Sequence, residues 1–173
     1  IDAYLVFSAG DTTAIIPAVE MANEAGIPVA ALDSCPEGGK IDYWLMNDNV
    51  VGGEKAAAAM VDEIKKRNGG EVPEGVIIEI IGALGDSFSD DIGKGFHNII
   101  DDYPQLKMAT GEAKWSAQGA FEVTADMLTL YEDQVIGVFA YTPDLMGLGV
   151  VNAIKNAGYD PKASKADMSV SSA

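Results

Sequence analysis

Hydrophobic positions along this chain switch repeatedly between two spacings. Short apolar runs of strand length alternate with longer stretches in which apolar residues return every three or four positions. Tyr4, Leu5, Val6 and Phe7 lead into the polar segment 8–13, and a helix over 14–25 follows, with Ile15, Val19 and Ala22 on one face and Gly26 at its end. Residues 29–32 read as a short buried strand ending at Asp33, residues 36–40 as a Pro/Gly loop, and Tyr43 to Met46 as a third apolar run. A helix over 52–67 turns Ala57, Met60, Val61 and Ile64 inward and carries Lys65, Lys66 and Arg67 in its last turn, where cations suit the helix dipole.

The most strand-like run, 76–81, is apolar apart from Glu79 and empties into the loop 82–87. Ile92, Phe96, Ile99 and Ile100 mark a helix that stops before Pro104. A weak strand at 107–110 precedes a loop at 111–116 that carries Trp115, and Ala120, Val123, Met127 and Leu128 face inward on the next helix. Val135, Ile136, Val138 and Phe139 form a strand that breaks at Tyr141, Thr142 and Pro143. Asp144 is placed to cap a helix on which Met146, Val150 and Ile154 recur until Gly158, and 168–170 reads as a last strand. The segments LVFSAGDTTAIIPAVEMANEAGIP and GVFAYTPDLMGLGVVNAIKNAGYDP look like two copies of one strand-loop-helix unit.

Strands alternating with helices predict an α/β fold with parallel sheets covered by helices on both faces. In such sheets ligands bind outside the carboxyl ends of the strands, so the loops after the strands are site candidates. They hold Ser8, Asp11, Asp33, Asp86, Trp115, Thr142 and Asp144. Carboxylates accept hydroxyl hydrogen bonds and an indole face packs on C–H surface, a combination that suits a polyhydroxylated ring.

Composition narrows the function. The chain has 173 residues, 48% of them hydrophobic, enough for a sizeable core in one domain or two small lobes. A formal charge of -16 and a pI near 4.1 argue against nucleic acid as a partner and against binding to an anionic membrane through a basic surface. No apolar run approaches membrane-spanning length, so direct membrane insertion is not expected. Cys35 is the single cysteine and His97 the single histidine, which leaves the usual nucleophile, base and zinc constellations without their parts, so no enzyme, cofactor or metal is expected. Asp86, Asp90 and Asp91 lack EF-hand spacing and read as helix N-terminal acid. The GxG pairs at Gly93, Gly95 and at Gly147, Gly149 fall inside predicted helices and read as helix packing.

The stretches AIIPAVEMANEAGIPVAALDS, NDNVVGGEKAAAAM, GKGFHNII, KWSAQGA and VFAYTPDLMGLGVVNAIKNAG resemble, in order, the sugar-type periplasmic binding proteins and the related effector domains of LacI-type repressors. The resemblance implies two doubly wound parallel-sheet lobes of the type I periplasmic-binding kind, with the first lobe incomplete: 1–47 as part of the N-terminal lobe and 48–173 as the C-terminal lobe. It also implies a non-enzymatic solute-binding protein that closes on a sugar or polyol and hands it to an ABC transporter permease, the alternative being a LacI-type effector domain. Such proteins are periplasmic or extracellular, and lipid-anchored in a Gram-positive cell. By resemblance Asp33 matches the family's hydroxyl-accepting carboxylate, Trp115 its stacking position, and Asp144 the acid of its Asn-Asp pair. The chain departs from the family at Ser34 and Ile92, where many sugar binders carry Arg, and at Pro143, where they carry Asn. Family members run longer, and this chain, which opens on Ile1 without an initiator methionine, looks like the middle of one.

Overall fold

The computed structural model describes residues 1–7 and 12–159. Ser8, Asp11 and the strand expected at 168–170 lie outside the described residues. Two parallel sheets form. In the first, strands β1 (Tyr4–Val6), β2 (Val29–Leu32) and β3 (Tyr43–Leu45) pair in that order, with helix α1 (Ile16–Glu24) between β1 and β2. In the second, β4 (Gly75–Ile81) lies between β5 (Leu106–Glu112) and β6 (Val135–Ala140). Its helices are α2 (Asn49–Arg67), α3 (Ser87–Ile100), α4 (Ala117–Tyr131) and α5 (Leu148–Asn156).

Every strand pair is parallel, as the alternating pattern predicts. The second sheet is covered on both faces: Ile77 packs with Ala57, Val61 and Ile64 of α2 and with Phe96 and Ile100 of α3, while Val76, Ile78 and Ile80 pack with Ala120 and Leu128 of α4 and Val150 of α5. Among the described residues the first sheet is covered on one face, by Val19 and Ala22 of α1 against Val6, Val29 and Ala31. Leu5, Leu32, Tyr43 and Leu45 are exposed.

Capping explains where two helices begin. Helix α2 starts at Asn49, ahead of the expected residue 52, because the Asp48 carboxylate accepts the Val51 N–H at 3.0 Å. Asp86 does the same for α3, taking the Phe88 N–H at 3.0 Å. Strand β5 runs on to Glu112, so the first two residues of the loop expected at 111–116 are strand, held in register by Ile80 and Ile81 of β4.

Asp144 is not a helix cap. Pro143, which has no N–H to give, opens one wide turn at Pro143–Gly147 in which the Met146 and Gly147 N–H groups both reach the Thr142 carbonyl, at 3.2 and 3.1 Å. Asp144 therefore sits exposed inside the turn, and α5 begins only at Leu148.

Three of the GxG glycines, Gly93, Gly95 and Gly149, are packing sites, whereas Gly147 ends the wide turn and has only ordinary contacts, so it departs from the helix-packing expectation. A Cβ on Gly95 would lie 1.9 Å from the Val50 carbonyl oxygen, and one on Gly53 would lie 2.3 Å from the Ile92 oxygen, so α2 and α3 cross backbone to backbone. Gly149 plays the same part between α5 and α4, 2.0 Å from the Ala117 oxygen. Thr124 of α4 is 0% exposed, and its hydroxyl has no hydrogen-bond partner among the described residues. A buried hydroxyl without a partner costs about 1–3 kcal/mol. Thr124→Val keeps the shape and removes the polar atom, so it is expected to raise the urea midpoint, by roughly 1 kcal/mol of stability; a lower midpoint would mean that the hydroxyl is bonded.

Candidate ligand crevice at the carboxyl ends of the strands

Asp33 follows β2 directly and takes a left-handed conformation, φ 66°, which Asp tolerates better than most residues. Two hydrogen bonds hold it there. Its N–H donates to the Leu45 carbonyl at 2.8 Å, and its own carbonyl accepts from the Trp44 indole at 2.8 Å. Asp33 lines a cavity of about 120 Å³, together with Ser34, Trp44 and Asn49 and with Phe88 and Asp91 of α3. Burial, and then the charge of Asp86, push the Asp33 carboxyl above its usual range. Cys35 also lines this cavity, with its thiol pushed up by burial and so kept from the thiolate form.

Asp86 is buried and committed on both oxygens, one to the Phe88 N–H and the other to the Trp115 indole N–H at 2.9 Å. Trp115 is held in turn. Its φ of 54° follows Lys114 at 52°, and the loop is tied down by Ala113 N–H to Ile81 O at 2.9 Å and Lys114 N–H to Gly82 O at 2.7 Å. The indole lies over Gly82, where a Cβ would come within 2.1 Å of the ring, and meets Phe88 edge-on at 5.4 Å. The Ser89 hydroxyl takes the N–H groups of Gly82 and Ala83, at 3.1 and 3.2 Å. The first residues of α3 thereby fasten the loop after β4.

Of the residues expected at the site, Asp33 lines the cavity, Asp86 acts on it through charge, and Trp115 reaches it through Phe88. Thr142 and Asp144 follow β6 on a separate loop and do not line this cavity. The Thr142 hydroxyl is buried and has no partner among the described residues. Trp44, Asn49 and Phe88 were missing from the expected set. Trp44 reads as strand from its apolar neighbours, and Phe88 sits in a stretch too polar to suggest a helix face. A larger groove, about 350 Å³, lies at the amino ends of β4, β5 and β6 beside Glu74, Lys107 and Asp133. Sheet topology favours the smaller cavity, because ligands of open parallel sheets bind at the carboxyl ends. Among the described residues no three His, Cys, Asp or Glu side chains converge for a metal, and no helix is long and apolar enough to cross a membrane.

A family model for the periplasmic binding protein domain matches residues 3–169. The chain belongs to the periplasmic binding protein family. Among relatives of this family, the ribose import binding protein of Bacillus subtilis (strain 168) is 37% identical over 161 residues, 92% of this chain and 49% of the relative. The xylitol-binding protein of Mycolicibacterium smegmatis is 31% identical over 143 residues, 82% of this chain and 39% of the relative. Of the solved structures, an ABC transporter periplasmic solute binding protein from Actinobacillus succinogenes with bound D-allose superposes with a TM-score of 0.78 at 30% identity, covering 91% of this chain and 55% of that one. This periplasmic binding protein chain spans about half the length of the curated relatives it matches.

Proposed function

We propose that this chain belongs to the solute-binding protein of an ABC importer and captures a sugar or polyol in the crevice around Asp33. The observation that carries the reading is that Asp33 lines a cavity together with the aromatic residues Trp44 and Phe88 at the carboxyl ends of the strands. Asp33 accepts ligand hydroxyls, Trp44 and Phe88 offer apolar faces to the C–H side of a ring, Trp115 backs Phe88, and Thr142 and Asp144 add polar groups from the third loop. Relatives named as ribose import binding, xylitol-binding and D-apiose import binding proteins support the substrate class. The division into an N-terminal lobe, residues 1–47, and a C-terminal lobe, 48–173, belongs to the same reading, as do a non-catalytic role, a permease partner and a periplasmic or extracellular location. At about 120 Å³ the cavity is small beside the ~300–1,000 Å³ of most ligand sites, so ligand held here is only partly enclosed by the described residues.

Calorimetric titration with D-ribose, xylitol, D-apiose and D-allose tests the reading. At least one is expected to bind, and Asp33→Asn, which removes a charge-assisted acceptor, is expected to weaken that binding about 10–100-fold. Silence across all four compounds, or an Asp33→Asn variant that binds as well as the parent, overturns the assignment.

A further inference from the structure

Strand β4 carries one charged residue, and the crevice does not use it. Glu79 is 2% exposed and accepts from the Tyr141 hydroxyl at 2.7 Å on one oxygen and the Thr110 hydroxyl at 2.8 Å on the other. His97 of α3 stands beside it. Its Nε2 is 3.5 Å from the Glu79 oxygen that holds Tyr141, and its Nδ1 is 2.9 Å from Asp101. Both ring nitrogens therefore face carboxylates. A neutral imidazole carries one N–H, so one carboxylate must then face a lone pair, whereas the imidazolium donates to both.

We propose that His97 and Glu79 are positioning residues for the crevice loop at residues 142–144, with the proton on His97 setting where Thr142 sits. The inference rests on the ligand-binding reading above only for its consequence, which is ligand retention that changes with pH. The link between the two ends is short. Tyr141 is the residue before Thr142, its N–H bonds the Ile80 carbonyl at 3.2 Å, and its hydroxyl is wedged against α3 so closely that a Cβ on Gly93 would sit 2.5 Å from it. A shift of the Glu79 carboxylate thus passes to Tyr141 with little slack.

The groups that bear on the imidazole come from several elements. Glu79 comes from β4, Tyr141 from β6 and Asp101 from α3 itself, and Thr110 of β5 holds the far oxygen of Glu79. Asp90 acts on Tyr141, and from α2 Glu54 accepts from Asn98, next to His97, at 2.8 Å. Burial alone would lower the His97 pKa. The hydrogen bond to Asp101 and the charge of Glu79 outweigh it, so the proton is held above the usual histidine range. A group raised in this way contributes its stabilisation fully below its unfolded value, about 6.5, and loses it as pH climbs through the raised folded value. Tyr141 stays protonated throughout, its hydroxyl pushed far up by burial and then by the hydrogen bond it gives Glu79.

One histidine in the whole chain makes the test direct, since its ring gives a single set of NMR signals. The full chain is titrated with pH, without ligand, while the His97 ring and the backbone amides of Thr142 and Asp144 are followed together. The expected result is a common midpoint above about 6.5 for ring and loop, with the loop response lost in Tyr141→Phe while the ring still titrates, and lost in His97→Gln. Loop amides that ignore the His97 midpoint in the parent chain overturn the proposal, as does a loop response undiminished in Tyr141→Phe. Because no sugar is present, a failed sugar titration and a failed loop titration are separate results.

Discussion

Gly95→Ala is expected to cost the chain about 3 kcal/mol or more, a large part of the ~5–15 kcal/mol that typically holds a domain folded. The added methyl would stand 1.9 Å from the Val50 carbonyl oxygen, 2.8 Å from its carbon and 3.0 Å from the Glu54 nitrogen. All three obstacles are backbone atoms of α2, so no rotamer change relieves them and the helices must move apart. Moving them loosens the whole layer beneath, where Ala57, Val61 and Ile64 of α2 meet Ile77 and Phe96. Gly52→Ala is the matched control. It lies in α2 with open space around its missing side chain, and replacing a helical glycine there is expected to be neutral or to stabilise by up to about 1 kcal/mol. Urea melts of the two variants read the difference, and a Gly95→Ala midpoint equal to the parent's would refute the backbone-to-backbone crossing.

Phe96→Ala is expected to lower stability by about 3–5 kcal/mol. Phe96 is fully buried, and its ring stacks on Phe139 of β6 with centroids 4.3 Å apart and planes 9° from parallel. Removing it takes away both the transfer of a large apolar group from water and the stack, and leaves a void between α3 and the sheet that a rigid glycine crossing prevents from closing. Phe96→Leu, which refills most of the volume, is expected to recover more than half of the loss. Equal melts for Phe96→Ala and Phe96→Leu would mean that the site relaxes freely. The residue adjoins Gly95, so a double variant is expected to fall short of the sum of the two losses.

Most of the framework can be read from the residues because its causes are local. The alternation of spacings gives strands and helices in the right order, and the parallel pairing follows from the helices between strands. The errors lie where a single side chain or a partner strand decides. Asp48 adds a first turn to α2 through one hydrogen bond, and β4 draws β5 out to Glu112 through pairing that no local signal carries. The resemblance pointed to the family before any coordinates did, and the match over residues 3–169 bears it out. The crevice was legible in part. Asp33 is found by its place after a strand, whereas Trp44 and Phe88 become wall only when two sheets distant in sequence come together. Glu79 stood out in the sequence as the lone charge in an apolar strand. What satisfies it, from Thr110, Tyr141 and His97, is visible only in three dimensions.

The glycine crossing of α2 and α3 also has a mechanical meaning. Asn49 at the head of α2 and Phe88 with Asp91 at the head of α3 all stand on the crevice wall, and the helices behind them touch backbone to backbone at Gly53 and Gly95. A ligand pressing on that wall therefore meets one stiff jaw, since neither helix can slide or roll past the other without a collision of main chains. Compliance must lie elsewhere. Among the described residues the backbone passes between the two sheets once, through residues 46–48, where Met46 lines the cavity and Asp48 caps α2. A proline at Asn47, which neither lines the cavity nor caps α2, is therefore expected to stiffen the link between the Asp33 side and this jaw.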